Sequence, residues 1–490
     1  MRKIILGLCI AVVGLFGLGF KANAATEAIT INLSNLNLAE YSSLEDFRKA
    51  YDSSGLPSVY VTNFLFDGVS AVVSPDLDDT EFKTLSIKVI NIVAAGDYQL
   101  TGDIKGAMIA VNTNGVKGAI NIYLNNMNLD TDSKKAPAIF VYNKDKNYTD
   151  CKVTIKTVSG TTNYLEGGKL KKVSLLGSDE LSKYSNYYSG DALTTYNDRT
   201  DYYGIYTSSQ INNILFATVQ ADNEDLQDGD PLYFYKASGA VSSDIDLYFV
   251  GDGLLSITSK NKEGVETKGN LTFDGGTGDY EIYAQDDCLN TTTANSSDAT
   301  VRNDLTINVS SLLAKVSEDA DEGDAIDSNG KLIINGGKIW AYAHPSSPDA
   351  GLDSGNGTYI NGGTVIATGN MIDEISSESK QAFIYAQLGT QIDAGATVTI
   401  KDQDDNTIVE FKTDRNIKTI FYSSADLNYK SYKIYANSTE VSYSATSTMM
   451  GRNGVNRQDV SSTLLIVWII EITALVVLLA VLFISKQIKK

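Results

Sequence analysis

Gly330-Lys-Leu-Ile-Ile-Asn-Gly-Gly-Lys-Ile339 recurs in the sequence as Gly357-Thr-Tyr-Ile-Asn-Gly-Gly-Thr-Val365, and the two Gly-Gly pairs lie 26 residues apart. An earlier copy begins at Gly269, and a degenerate copy without the glycine pair begins at Asp304. Short apolar stretches between Asn-Gly-Gly turns, repeated with a period in the twenties, are typical of the stacked coils of a parallel β-helix. Isolated hairpins are the alternative, but four copies favour a solenoid. The sequence therefore predicts an all-β fold.

A short acidic segment, which we call an acidic step, comes just before each copy of the repeat. In order, the steps end at Glu266, Asn290, Asp327 and Asp353. If the coils stack in register, these four residues form a column with a spacing of ~4.8 Å. Carboxylates at that spacing repel each other and need protons, amide neighbours or a cation, and Ca²⁺ bound by several oxygens meets that need. The alternative is a ladder of Asn and Asp turns bonded to the backbone. The predicted metal ligands are Glu266, Asp287, Asn290, Asp324, Asp327 and Asp353.

The composition excludes several other classes of function. The 490 residues include 60 acidic and 40 basic ones, which gives a formal net charge of −20. Such a chain lacks the clustered Lys and Arg surface that nucleic acid requires, so no nucleic-acid partner is expected. A single His and three Cys exclude multi-cysteine zinc patterns. Many carboxylates with few nitrogen or sulfur ligands favour a hard cation, above all Ca²⁺.

Both ends of the chain are predicted to lie outside the fold. Residues 1–24 combine a charged start, an apolar stretch and a small-x-small cleavage site, as in a secretory signal peptide. Residues 464–485 contain an apolar stretch that is long enough to span a bilayer, and lysines follow it in the tail at 486–490. We therefore predict a single-pass membrane protein with a cytoplasmic tail and its bulk outside the cell or in a periplasm.

Glu471 is an acidic residue inside the predicted membrane helix. A carboxyl group within a bilayer is costly and usually finds a partner. A protonated or snorkelling side chain is one interpretation, and a partner helix near Glu471 is the other.

The exported part divides into three regions. Residues 25–84 form a small N-terminal cap with one helix signal, a capping box that begins at Ser42. Residues 85–436 contain the strands and the repeat, and a polar, Tyr-rich insertion interrupts them at about 160–245. Residues 437–463 form a linker. Without its predicted ends the exported part has 34 basic and 59 acidic residues, so its net charge is −25.

Several of these segments resemble a known family. They are Lys262-Glu-Gly-Val-Glu-Thr-Lys-Gly-Asn-Leu-Thr272, Asp286-Asp-Cys-Leu-Asn290, Asp324-Ala-Ile-Asp-Ser-Asn-Gly330 and Asn361-Gly-Gly-Thr-Val-Ile-Ala-Thr-Gly-Asn370. Together with flanking strands over roughly 85–436, they look like the bacterial carbohydrate-binding β-helix domain family. The resemblance implies a right-handed parallel β-helix similar to that of pectate lyases, with Ca²⁺ sites. It also implies binding to plant-type or acidic polysaccharide.

Aromatic side chains near the acidic steps are the candidates for sugar contact. Trp340 and Tyr342 alternate with small and aliphatic residues, so they are predicted to point outward, and Tyr283 aligns with them two coils earlier. Aromatic rings suit the apolar C–H faces of sugar rings. The alternative is a secondary core beneath an insertion.

No motif identifies an enzyme. A hydrolase needs two carboxyl groups with separated pKa values, and a lyase needs a basic group beside a bound uronate. Five basic residues lie near the repeats, but no motif distinguishes one of them, and His344 lies in a turn. We therefore predict a calcium-dependent polysaccharide-binding protein. The alternatives are a polysaccharide lyase or hydrolase on the same scaffold, and a cell-surface structural or adhesion protein.

Overall fold

The computed structural model describes residues 28–41, 50, 56–62, 65–66, 71–72, 87–132, 136–143, 149–168, 239–292, 303–371, 373–428 and 431–444. All the elements that it bounds are β-strands. The first sixteen strands are β1 (Ile29–Asn32), β2 (Ala39–Tyr41), β3 (Val59–Thr62), β4 (Leu65–Phe66), β5 (Ala71–Val72), β6 (Lys88–Ile92), β7 (Gly96–Lys105), β8 (Ala107–Asn112), β9 (Gly118–Asp130), β10 (Ile139–Tyr142), β11 (Cys151–Thr157), β12 (Thr162–Gly167), β13 (Val241–Ser243), β14 (Leu247–Gly251), β15 (Leu254–Ser259) and β16 (Val265–Thr267).

The remaining strands follow in the second half of the chain. They are β17 (Leu271–Phe273), β18 (Asp279–Ala284), β19 (Leu289–Thr291), β20 (Leu305–Val316), β21 (Ile326–Ser328), β22 (Leu332–Tyr342), β23 (Asp353–Ser354), β24 (Thr358–Ile360), β25 (Thr364–Gly369), β26 (Phe383–Ile392), β27 (Thr397–Lys401), β28 (Thr407–Lys412), β29 (Ile417–Ser423), β30 (Lys433–Ala436), β31 (Thr439–Val441) and β32 (Tyr443–Ser444).

Parallel pairing in register builds the core. In the ten-stranded sheet of the described chain, β10, β13, β16, β19 and β21 are consecutive parallel neighbours. One register column in these strands consists of aliphatic side chains that are fully buried. They are Ile139, Val241, Val265, Leu289 and Ile326. In β16, β19 and β21 the aliphatic residue is followed by a partly buried polar one, as alternation along a strand requires.

The second glycine of each Gly-Gly pair explains why the repeat needs glycine. Gly337 and Gly363 have φ angles of 110° and 91°, which L side chains rarely adopt. A Cβ atom at Gly363 would lie 2.6 Å from the carbonyl oxygen of Gly337, and a Cβ atom at Gly337 would lie 2.7 Å from that of Val309. The repeat therefore preserves a turn in which one row of backbone lies directly on the next.

The larger sheet contains a closed ring, which the sequence did not predict. Within the described residues, β9 pairs in parallel with both β11 and β12, and β20 pairs in parallel with both β17 and β18. With β14 and β15, these strands complete a ring of eight parallel strands in the order β9-β11-β14-β17-β20-β18-β15-β12. The ring closes because β9 and β20, with 13 and 12 residues, are long enough for each half to pair with a different neighbour.

This closure corrects the predicted fold. The expected open solenoid, a right-handed parallel β-helix, is wrong, because eight of the stacked parallel strands close on themselves. The period of the repeat could not reveal the ring, since the two halves of β20 read as two separate short strands in the sequence. A residue with positive φ, Asn126 (51°), separates the two paired segments of β9.

The N-terminal cap region contains paired strands, and the predicted membrane segment lies outside the described residues. In the cap region, β1 pairs with β7 of the large sheet, and β3 pairs with β6 of the ten-stranded sheet. The helix predicted from Ser42 onward falls mainly on residues outside the described ranges. The segment 464–485 and Glu471 also lie outside them, and no helix in the described part of the chain is long and apolar enough to cross a membrane. The described residues therefore give no support to the predicted single-pass anchor or to the cell-membrane location, and neither is proposed further.

The C-terminal strands form a second core. β25, β29, β26 and β32 are antiparallel neighbours at the end of the large sheet, and β28, β27, β30 and β31 form a separate antiparallel sheet. Their apolar side chains make a cluster distinct from the main core, and Trp340 of β22 packs against it.

The stack of Phe249 and Phe273 supports the main core and yields a prediction. The two rings lie 4.5 Å apart at 7°, and Tyr280 meets Phe273 edge-on at 5.0 Å. Because Phe273 is fully buried, Phe273→Ala should lower the free energy of unfolding by about 3–5 kcal/mol. Urea denaturation measures the change. Tyr164→Thr, at a side chain that is 49% exposed, is the control and should alter it by about 0.5 kcal/mol or less. An equal loss in both variants would contradict the assigned packing.

Candidate functional site

The acidic steps lie side by side in the ten-stranded sheet. Glu266 of β16 pairs with Asn290 of β19, Asn290 pairs with Asp327 of β21, and Asp327 pairs with Asp353 of β23. All four side chains are partly buried, and they alternate with fully buried neighbours on each strand. Parallel pairing thus places the four residues in one register column, and we use the name acidic column for them together with the neighbouring Asp287 and Asp324.

Backbone amides donate hydrogen bonds to two of these carboxyl groups, those of Asp287 and Asp324. An oxygen of Asp287 accepts a hydrogen bond from the amide of Asp324 at 2.8 Å, and an oxygen of Asp324 accepts one from the amide of Ala350 at 2.6 Å. The carboxylate of one repeat therefore fixes, by a hydrogen bond, the backbone turn of the next repeat. This is the turn ladder that was the alternative to a metal site, and it uses one oxygen of each carboxyl group.

Asn290 separates two carboxyl groups of the set. Its amide nitrogen donates to Asp287 at 2.5 Å and to Asp327 at 3.2 Å. Its amide oxygen is buried and has no hydrogen-bond partner among the described residues. A buried oxygen without a donor is unfavourable, so this atom is a ready ligand for a cation.

The pKa values show that the carboxyl groups are poorly compensated. Burial, and then the charge of Asp287, raises the pKa of Asp324 to about 9 and that of Asp327 to about 8. Burial, and then Asp286, raises the pKa of Asp287 to about 7. Burial, and then Glu266, raises the pKa of Glu263 to about 8. Without a cation, several of these groups hold protons near neutral pH.

Asp373 belongs to this cluster although sequence reasoning missed it. One of its oxygens accepts from the amide of Ser354 at 2.9 Å and from the Ser354 hydroxyl at 3.1 Å. Burial is the largest cause that raises its pKa to about 6, and Asp353 raises it further. No signal in the repeat points to Asp373, because it follows the last copy and enters from a connecting segment.

The cluster is not arranged as a complete metal site. Among the described residues, no group of three or more Asp, Glu, His or Cys side chains is placed so that it could hold a metal ion. The predicted ligands Asp287, Asn290, Asp324, Asp327 and Asp353 are nevertheless brought together, and Glu266 lies at the edge of the same column. The calcium site stays a prediction.

The predicted aromatic strip is divided by the C-terminal segment. Tyr283, Lys315 and Tyr342 are register neighbours on β18, β20 and β22. The guanidinium group of Arg415 lies over the Tyr342 ring at 5.7 Å, and Trp340 packs against the second core. Burial raises the pKa of the Tyr342 hydroxyl to about 12. Tyr283 differs from both, because it lines a cavity of about 310 Å³.

His344 has a structural role in its turn. Its side chain is buried, and its Nδ1 atom accepts a hydrogen bond from the backbone amide of Ser347 at 3.0 Å. The predicted position in a turn is therefore correct, and the lone pair of Nδ1 is used in a hydrogen bond to the backbone.

The geometry defines an all-β protein with a column of buried carboxyl groups and a separate aromatic cavity. The chain matches a family model described as carbohydrate-binding domain-containing protein over residues 86–196 and 199–408. It therefore belongs to this family, and the predicted carbohydrate-binding role is confirmed at that coarse level. No curated protein and no solved structure matches the chain.

The raised pKa values predict how stability depends on pH in a chelating buffer. The folded protein binds more protons than the unfolded chain between the unfolded Asp value near 4 and the folded values of about 7 to 9. The free energy of unfolding should therefore fall by at least about 2 kcal/mol from pH 5 to pH 8, measured by urea denaturation. Asp327→Asn should raise stability at pH 8, whereas Asp252→Asn at an exposed position should not. A stability that rises from pH 5 to pH 8 would contradict this account.

Proposed function

We propose that the protein binds polysaccharide of the plant cell-wall or acidic type without cleaving it, and that calcium in the acidic column supports the binding. The match to a carbohydrate-binding family over most of the strand-bearing chain carries the proposal. Two finer parts of the proposal are that a cation is bound and that the glycan is not cleaved. The electrostatics of the column support the first, and the ion pairing of the nearby lysines supports the second.

The donor set of the column suits a hard cation. All of its members offer oxygen, and Ca²⁺ accepts carboxylate, amide and backbone oxygens together with water. Asp287 and Asp327 lie on either side of Asn290, whose amide oxygen has no partner within the described residues. Two carboxylates, that amide oxygen and water would form a site without a third carboxylate. A bound cation would also remove the repulsion that raises the pKa values.

The basic groups near the column support binding without cleavage. A lyase base must be neutral at the operating pH. Burial lowers the pKa of Lys262, but its hydrogen bond and charge pairing with Asp286 outweigh burial, so the pKa lies above its usual value. Lys268 forms an ion pair with Asp244. Lys262 is therefore protonated near neutral pH, and Lys268 is engaged in its ion pair, so both are poorly suited to accept a proton.

Polysaccharide retention tests the proposal directly. The protein should bind immobilised polygalacturonate or cellulose in millimolar CaCl₂ and retain polygalacturonate more weakly in excess EDTA, because the acidic column without calcium would repel an acidic glycan. Affinity electrophoresis measures retention, and assays for reducing ends and unsaturated products follow any cleavage. Product formation would favour a lyase or hydrolase. Absence of retention on any glycan, with and without calcium, would favour a structural or adhesion role.

A double variant tests the calcium ligands. Asp327→Ala combined with Asp353→Ala should weaken Ca²⁺ binding by at least about tenfold in calorimetric titration, because it removes the Asp327 carboxylate and the adjacent negative charge of Asp353. Asp103→Ala combined with Asp252→Ala removes the same charge at exposed positions and serves as the matched control. Equal calcium affinity in the two double variants would exclude the column as the site.

A further inference from the structure

The cavity beside Tyr283 lies outside the acidic column and is lined by basic residues. It lies at the carboxyl ends of β15, β18 and β20, and its volume is about 310 Å³. This volume is at the lower end of the range of about 300–1,000 Å³ for small-ligand pockets. Its charged lining residues are Lys260, Lys315, Arg415 and Glu318. Three cations and one exposed carboxylate are a local exception in a chain with a formal net charge of −20.

Arg415 is the buried member of this lining. Its side chain is 1% exposed, and its Nη1 atom donates to the carbonyl oxygens of Val316 at 2.9 Å and Ala343 at 2.8 Å. Its Nη2 atom is buried and finds no hydrogen-bond acceptor among the described residues. A buried guanidinium group with an unused donor is costly, because charged donors lose more than neutral ones when they are left unpaired.

One carboxylate compensates two cations at the cavity. Asp414 forms an ion pair with Lys315 and also accepts from the Nε atom of Arg415 at 3.2 Å. The third cation, Lys260, forms its ion pair with Glu166. The Arg415, Lys315 and Asp414 cluster therefore carries one net positive charge. An anion that enters the cavity would meet a positive group that is already held in place, which reduces the cost of ordering.

The remaining lining matches the other parts of a sugar residue. The ring of Tyr283 offers a flat apolar surface, and Thr258, Ser259, Gln285 and Ser317 supply neutral hydrogen-bonding side chains. A ligand that combines hydroxyl groups, an apolar ring face and one carboxylate satisfies all of these features. We infer that this cavity is a subsite for a carboxylate-bearing sugar residue, held by Lys315 beside the buried positive charge of Arg415 and stacked on Tyr283. The inference rests on the proposed carbohydrate binding, but the subsite needs no metal ion.

Binding of a short acidic oligosaccharide in EDTA tests the subsite. Trigalacturonate and its trimethyl ester are suitable probes for calorimetric titration of the full chain, since the ester keeps the rings and loses the carboxylate charges. Trigalacturonate should bind at least about tenfold more tightly than the ester, as charged hydrogen bonds are worth this much or more. Equal affinities for the two probes would overturn the subsite.

Two variants with opposite expected effects separate recognition from folding. Lys315→Met should weaken trigalacturonate binding at least about tenfold and leave ester binding unchanged. Asp414→Asn should strengthen trigalacturonate binding, because it removes the carboxylate that competes with the ligand for Lys315 and Arg415. Lys117→Met, at a lysine side chain that is 81% exposed, is the matched control and should change neither affinity.

The outcomes also distinguish this inference from the proposed function. If trigalacturonate fails to bind in EDTA while polysaccharide is retained in calcium, the subsite is wrong and the proposed function stands. If Asp414→Asn weakens binding as Lys315→Met does, the cluster has only a structural role, and the subsite is again rejected. If no glycan binds under any condition, both the subsite and the proposed function fail.

Discussion

Parallel pairing in register is the constraint on which the rest of the structure depends. When strands from successive repeats align residue for residue, each residue type stacks on its own kind. The column of Val265, Leu289 and Ile326 excludes water in this way. The same pairing brings Asn290, Asp327 and Asp353 together one position further along, where stacking is electrostatically unfavourable. The core and the acidic column are therefore two results of one geometric rule.

The apolar columns stabilise the fold strongly enough to hold the carboxyl groups in place. A carboxyl group whose pKa lies near 8 or 9 in the folded protein opposes folding at neutral pH, as is expected for Asp327 and Asp324. Turn bonds such as that from the Ala350 amide to Asp324 recover part of this cost. The unused oxygen of Asn290 recovers none of it. A column that served only as a turn ladder could have used Asn at each step and avoided the repulsion, and this is the argument for the cation that we propose.

The sequence predicted those features that the repeat encodes. The register of Glu266 with Asn290 and Asp327 follows directly from the spacing of the acidic steps, because parallel strands preserve sequence alignment. The closed ring does not follow from it, since closure depends on the length and double pairing of β9 and β20. The positions of Asp373 and Arg415 could not be predicted from the sequence either. Both come from segments after the last repeat, and a repeat carries no information on where such segments fold back.

That folding back also decides which aromatic side chains remain open to a ligand. Alternation along β22 correctly places Trp340 and Tyr342 on the side away from the main core, but the C-terminal strands and Arg415 cover them. The covering segment leaves Tyr283 at the cavity and brings a guanidinium group and Asp414 beside Lys315.

An acidic protein can meet an acidic glycan in two ways, by binding cations between the two or by concentrating its own cations at one place. The acidic column is suited to the first way and the cavity to the second. Their responses to calcium and to loss of a lysine differ for that reason.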